Sequence, residues 1–120
     1  MSVPEQLSSS AAARLARARD SLEGLSVGDA LGQQFFIPGM SQLCIPRREP
    51  PPGRWSYTDD TAMALSIFAV LSQWERIEQD HLAREFAQRH AREPWRGYGP
   101  GTKKLLQKVH EGTAWQAATR

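Results

Sequence analysis

The stretch WSYTDDTAMALSIFAVLSQW, Trp55 to Trp74, sets two adjacent carboxylates, Asp59 and Asp60, between two threonine hydroxyls and directly ahead of an apolar run. In that run Met63, Ile67, Val70, Leu71 and Trp74 recur at helical spacing, with Phe68 widening the stripe, which predicts a central, mostly buried helix. Thr58 or Asp59 would serve as its N-cap, and acids in a first turn also gain from the helix dipole. One cap does not need two acids and two hydroxyls. The same oxygens suit a hard cation such as Mg²⁺, which takes one or two carboxylates and keeps several waters. Capping and cation binding are thus the two readings of this segment, with Thr58, Asp59 and Asp60 as candidate metal ligands.

Upstream, a helix is expected from an N-cap at Ser9 or Ser10 through AAARLARARDSLEGLSVGDALG, placing Leu15, Ala18, Leu22, Leu25 and Ala30 near one side. Residues 1 to 8 read as a flexible tail. Gly24, Gly28 and Gly32 recur every four residues within this helix, where each costs about 1 kcal/mol against alanine. Three in register predict another backbone packed close to that face. Asp29 lies within the same segment; its expected role is a hydrogen bond to a neighbouring loop or helix start, with a catalytic role as the alternative. Between Gln33 and Trp55, the breakers Pro38, Gly39, Pro46, Pro50, Pro51, Pro52 and Gly53 predict a long ordered loop with no regular element.

Downstream, DHLAREFAQRHARE predicts a helix from about Asp80 that buries Leu82, Phe86 and His90 and stops before Pro94. RGYGPGTKKLLQKVHEG then predicts a glycine-rich loop, a cap at Thr102 and a short helix through Leu105, Leu106 and Val109, with one more helix capped by Thr113. Gly97, Gly99 and Gly101 free the backbone to approach a ligand, and a helix start offers amides to anions. An ordinary turn before a capped helix is the competing reading. No segment shows strand alternation and no repeat is visible. The expected class is all-α, an orthogonal bundle of about five helices with one long Pro-rich loop.

The totals narrow the setting. A chain of 120 residues is about one domain, and its single cysteine, Cys44, rules out an internal disulfide framework and a thiolate zinc site. With 15 Lys and Arg against 13 Asp and Glu, the net charge of +2 is too small to argue nucleic-acid binding. The cluster Arg14, Arg17 and Arg19 reads as a solvated helix face. The amino terminus lacks the apolar segment of a secretory signal, no run approaches the length of a membrane span, and a cytoplasmic setting is expected. His81, His90 and His110 lie too far apart for a zinc motif, and the tryptophans read as packing anchors, with Trp55 beside the acids.

GLSVGDALG (Gly24 to Gly32), WSYTDDTAMAL (Trp55 to Leu65) and RGYGPGT (Arg96 to Thr102), in that order, resemble the amino-terminal portion of the ADP-ribosylglycohydrolase family. This all-helical family includes the dinitrogenase reductase-activating glycohydrolase and the crystallin J1-like proteins, and its members run two to three times this length. The resemblance implies hydrolysis of the glycosidic bond between ADP-ribose and a protein side chain or small acceptor, at a site holding two Mg²⁺ ions, or Mn²⁺ in some members. It also implies that Thr58, Asp59 and Asp60 are metal ligands and that Asp59 or Asp60 accepts a proton from water. Since ADP-ribose carries a pyrophosphate, the loop of Gly97, Tyr98, Gly99, Gly101 and Thr102 is the expected place for it, with Tyr98 stacking.

A DxDT-type motif and a GNGAAMR-like segment, which complete the family site, do not occur; the aspartates are Asp20, Asp29, Asp59, Asp60 and Asp80. The expectation is therefore half of an active site, inactive by itself. Where many members carry a glutamate after GDALG, this sequence has Phe36. The competing class is a non-catalytic helical module that binds a partner or plays a crystallin-like structural role.

Overall fold

Helix α1 forms because its apolar positions fall on one stripe: Ala11, Leu15, Ala18, Leu22 and Ala30 are buried or half-buried, while the arginines between them are exposed. The computed structural model describes residues 3–120, with side-chain surroundings from Ser10 onward, and α1 spans Val3–Gln34. The helix thus starts ahead of the N-cap expected at Ser9 or Ser10; of the expected tail, residues 1 and 2 lie outside the described residues. Leu25, expected on the stripe, is turned outward and is 44% exposed.

The remaining helices are α2 (Met40–Arg47), α3 (Asp59–Trp74), α4 (Gln79–Arg92), α5 (Pro100–His110) and α6 (Trp115–Ala118), and no strand occurs among the described residues. The all-α class is as read from the sequence, with six helices. Helix α2 corrects the expectation of a loop without regular structure. Its breakers fall at its ends: Gly39 is the N-cap at φ 85°, Pro46 sits in the last turn, and Arg48 closes the helix at φ 52°. A proline there deletes one carbonyl's partner and leaves the preceding turn intact.

Successive packing runs α1 on α3, α3 on α4, α4 on α5 and α5 on α6. The chain measures 57 × 42 × 21 Å, so its thin dimension holds about two helix diameters. A slab that thin buries few large side chains, and the residues sealed inside α3 are Thr61, Ala62, Ser66 and Val70. Of these, Ala62, Ser66 and Val70 fall four apart along one side, where small side chains allow close packing of a neighbouring helix. The larger apolar side chains expected to be buried flank that band: Ile67 is 37% and Trp74 39% exposed. Trp74 instead stacks on His81 with ring centroids 4.1 Å apart.

At the other end, Ala62, Tyr98 and Leu106 form the buried cluster, with Tyr57, Met63, Phe86 and Leu105 packed around it. Helix α4 buries Ala87 and His90, and α5 buries Leu106. Helix α5 starts at Pro100 with Gly99 as its N-cap, and α6 starts after Ala114, so the caps expected at Thr102 and Thr113 are not used. Pro100 explains the first shift, because its fixed φ and missing donor suit the first helical position. Trp115 Nε1 donates to Asp80 Oδ1 at 2.8 Å and ties α6 to the start of α4. No helix among the described residues is long and apolar enough to cross a membrane.

Candidate active site

The apolar stripe of α1 runs Leu15, Ala18, Leu22, and seven residues beyond Leu22 it reaches Asp29. A carboxylate is thereby carried onto the face that packs against α3. There Asp29 Oδ2 accepts from the Thr58 backbone N–H at 2.8 Å, the Thr61 N–H at 3.3 Å and the Thr61 hydroxyl at 2.6 Å, while Oδ1 accepts from the Thr58 hydroxyl at 2.7 Å. Burial alone would raise the Asp29 pKa, but the hydrogen bonds from the Thr61 and Thr58 hydroxyls and amides more than offset it and hold the carboxyl below its ordinary range. Of the two roles weighed from the sequence, the bond to a helix start is the one the geometry shows.

Asp29 also resolves how the start of α3 is capped. Thr58 is the N-cap, and its Oγ1 accepts from the Asp60 N–H at 3.3 Å. The Thr61 N–H goes to Asp29, and the Asp59 N–H donates to the Arg96 carbonyl at 2.7 Å. Every early amide of the helix from Asp59 to Thr61 is satisfied without a carboxylate from the doublet. Among the described residues, no hydrogen bond or ion pair engages the side chains of Asp59 or Asp60. Asp59 is half-buried and Asp60 exposed.

The bond from Asp59 N–H to Arg96 carries the RGYGPGT loop to the acids. The Arg96 guanidinium donates from Nε and Nη2 to the two Glu93 oxygens at 3.2 and 3.1 Å, and from Nη1 to the Tyr57 carbonyl at 3.3 Å. It lies 3.7 Å above the centre of the Tyr57 ring, whose hydroxyl donates to Glu93 Oε2 at 3.2 Å. The Arg96 hydrogen bonds hold Glu93 below the usual carboxylate range, and Glu93 in return raises Arg96. Bidentate pairing and ring stacking together fix the guanidinium plane. Tyr57, Glu93 and Arg96 were not singled out from the sequence; the one local signal was the opposite-charge pair three residues apart, Glu93 and Arg96.

The substrate-side residues divide. Gly97 has φ +90° and no atom near the position a Cβ would take, and the same open space surrounds Gly99 and Gly101. Tyr98 does not offer a stacking face: it is 4% exposed and packs edge-on to His90 with centroids 4.8 Å apart. Burial first, and the Asp59 charge second, raise the Tyr98 pKa. Thr102 is half-buried and lines an apolar groove of about 390 Å³ with Met63, Phe86, Leu105 and Trp115. Phe36 is 81% exposed in the turn after α1 and adds no acid. The glycine stripe also differs from expectation, because among the described residues nothing beyond the adjoining residues and the surrounding turns of α1 lies within 4 Å of a Cβ at Gly24, Gly28 or Gly32.

Two carboxylates without partners among the described residues, next to a threonine oxygen that keeps one lone pair, fit the oxygen chemistry of Mg²⁺ or Mn²⁺. No group of three or more His, Cys, Asp or Glu side chains suited to a metal occurs among the described residues. Cys44 is buried and packs its sulfur against Met40 at 3.5 Å. Among the described residues, the buried His90 has no partner for Nε2.

Comparison with known proteins points to the same family. The chain is 33% identical over 112 residues to the human protein named ADP-ribosylhydrolase ARH3, covering 82% of this chain and 31% of that one. The Xenopus tropicalis protein of that name is 35% identical over 112 residues, 84% of this chain and 31% of the other, and the Bos taurus protein 33% over 111 residues, 82% and 30%. The chain therefore spans about three tenths of the length of the curated relatives it matches. No solved structure gives a significant match. The ADP-ribosylglycohydrolase family matches residues 10–120, nearly the whole chain, and this protein belongs to that family.

Proposed function

We propose that the chain supplies the Thr58, Asp59 and Asp60 side of a divalent-cation site for hydrolysis of the glycosidic bond between ADP-ribose and its acceptor. The observation that carries this reading is the satisfied start of α3: Thr58, Asp29 and the Arg96 carbonyl take its amides, so the acid doublet is not spent on capping. Family membership and the relatives' printed activity support the substrate class.

In this reading Asp59, Asp60 and the remaining lone pair of Thr58 hold Mg²⁺ or Mn²⁺. The ion, when bound, supplies the positive charge that orients ribose hydroxyls and acidifies a water. A carboxylate oxygen of Asp59 or Asp60 left free of the ion would accept the proton of the attacking water. The backbone at Gly97, Gly99 and Gly101, open on its surroundings, lets a pyrophosphate approach the first-turn amides of α5. Tyr98 supports this loop from beneath as a packed side chain rather than by stacking. The working compartment is the cytoplasm, in keeping with a lone cysteine that forms no disulfide within the chain.

Calorimetric titration with Mg²⁺ and with Mn²⁺, with and without ADP-ribose, tests the proposal. Heat from the wild-type chain that disappears in the double variant Asp59→Ala, Asp60→Ala supports it. Heat from neither protein returns the chain to the non-catalytic class.

A further inference from the structure

We propose that Asp29 is a positioning residue for the cation site: by accepting the Thr58 O–H it turns that hydrogen aside and leaves the Thr58 oxygen to act only as a ligand. The proposal rests on the reading of Thr58, Asp59 and Asp60 as a cation site, and adds a residue and a proton placement to it.

A threonine oxygen has one hydrogen and two lone pairs. At Thr58 the hydrogen goes to Asp29 Oδ1 at 2.7 Å, and one lone pair accepts the Asp60 N–H at 3.3 Å. One lone pair is left and no donor. The hydroxyl can therefore meet a cation, whereas it cannot donate to a phosphate or carbonyl oxygen of a bound molecule. Asp29 is itself held against rotation, because both its oxygens are occupied by groups from Thr58 and Thr61. Carboxylates that fix the hydrogen on a ligating side chain commonly change metal affinity by about 10- to 100-fold when altered.

An amide in place of this carboxylate makes a sharp test. Asparagine has the shape of aspartate but presents one oxygen and one NH₂. Either its NH₂ donates to Thr58, occupying the remaining lone pair, or its oxygen faces Thr58 and the NH₂ confronts the Thr61 amide and hydroxyl. Neither arrangement reproduces the present one.

The experiment follows paramagnetic broadening of backbone amides in the ¹⁵N-labelled 120-residue chain titrated with Mn²⁺ alone. In wild type, the amides around Thr58 to Thr61 are expected to broaden first. Asp29→Asn is expected to need at least about tenfold more Mn²⁺ for equal broadening. Removing a negative charge would also weaken cation binding, so the double variant Asp29→Asn, Thr58→Val decides between the two causes. If Asp29 acts through the hydroxyl, Thr58→Val alone weakens binding as much and the double variant is no worse than either single one. If the two losses multiply, Asp29 acts only through its charge and the proposal is overturned. Equal affinity of wild type and Asp29→Asn overturns it as well, while leaving the cation site standing. Broadening absent from the wild-type chain overturns the cation site and this proposal together. Should Asp29→Asn fail to fold, Thr58→Ser and Thr58→Val replace it: the serine variant retains affinity and the valine variant loses about tenfold, and equal affinity in both overturns the assignment.

Discussion

The Asp29 carboxylate and the Thr61 hydroxyl, 32 residues apart in sequence, meet at 2.6 Å and pin the last turns of α1 to the first turn of α3. Removing this acceptor strands two hydroxyls and two amides at a helix start. Asp29→Ala is expected to destabilise the chain by about 2–3 kcal/mol, since hydrogen bonds to a charged group contribute roughly 1.5–3 kcal/mol each and do not add in full. Urea unfolding of the two proteins measures it; a difference below about 0.5 kcal/mol, the size of an ordinary surface substitution, would remove Asp29 from the frame of the site.

The acid doublet and its neighbouring threonine should separate in a stability measurement. Thr58→Ala loses the cap and is expected to cost about 1 kcal/mol or more. The double variant Asp59→Ala, Asp60→Ala breaks no hydrogen bond, loses a favourable dipole contribution of about 0.3–1 kcal/mol per acid, and relieves repulsion between adjacent charges. Its melting temperature is expected within a few degrees of wild type. A collapse of stability in the double variant would show that the acids are structural after all.

His90 gives the chain an acid-sensitive core. Burial first, then the positive charges of Lys103 and His110, lower its pKa below 6.5, and Nε2 has no partner. The folded state therefore favours neutral imidazole. Its contribution is fully present above the ordinary histidine pKa and is lost as pH falls through the lowered folded value. Melting temperatures of wild type and His90→Gln should converge between pH 7.5 and pH 5, with wild type losing more. Parallel curves would place the acid sensitivity elsewhere.

Arg96 and Glu93 should report on the order of the doublet rather than on gross stability. Arg96→Lys keeps the charge and discards the bidentate contact and the ring stacking. A loss of about 1 kcal/mol is expected, together with faster hydrogen exchange at the Asp59 amide, which donates to the Arg96 carbonyl. Unchanged exchange at that amide would mean that the side-chain clamp does not govern the backbone contact.

Glu75 closes α3 at φ 57°, a left-handed conformation that a side chain disfavours. Glu75→Gly is expected to stabilise the chain by up to about 1 kcal/mol, read as a melting temperature raised by a few degrees.

The helices, their approximate order and the three motifs were open to reading from local pattern, because helical periodicity and cap chemistry act over four residues or fewer. Local pattern also fixed that two acids stand at the head of an apolar helix. It misjudged α2, where Gly39 and Pro46 mark the ends of a helix rather than forbid one. It caught Val70 but misjudged the rest of the buried side of α3: α1 and α4 both pack on that element, and Ala62 and Ser66 are sealed there while Ile67 and Trp74 stay partly exposed. The use of the acids lay beyond sequence reading. Whether a carboxylate caps its own helix depends on what else reaches those amides, and here the competitors come from residue 29 on one side and residue 96 on the other. Such contacts exist only once α1 and the loop after α4 have packed against α3, since hydrogen bonding is decided by distances of about 3 Å that no spacing along the chain records.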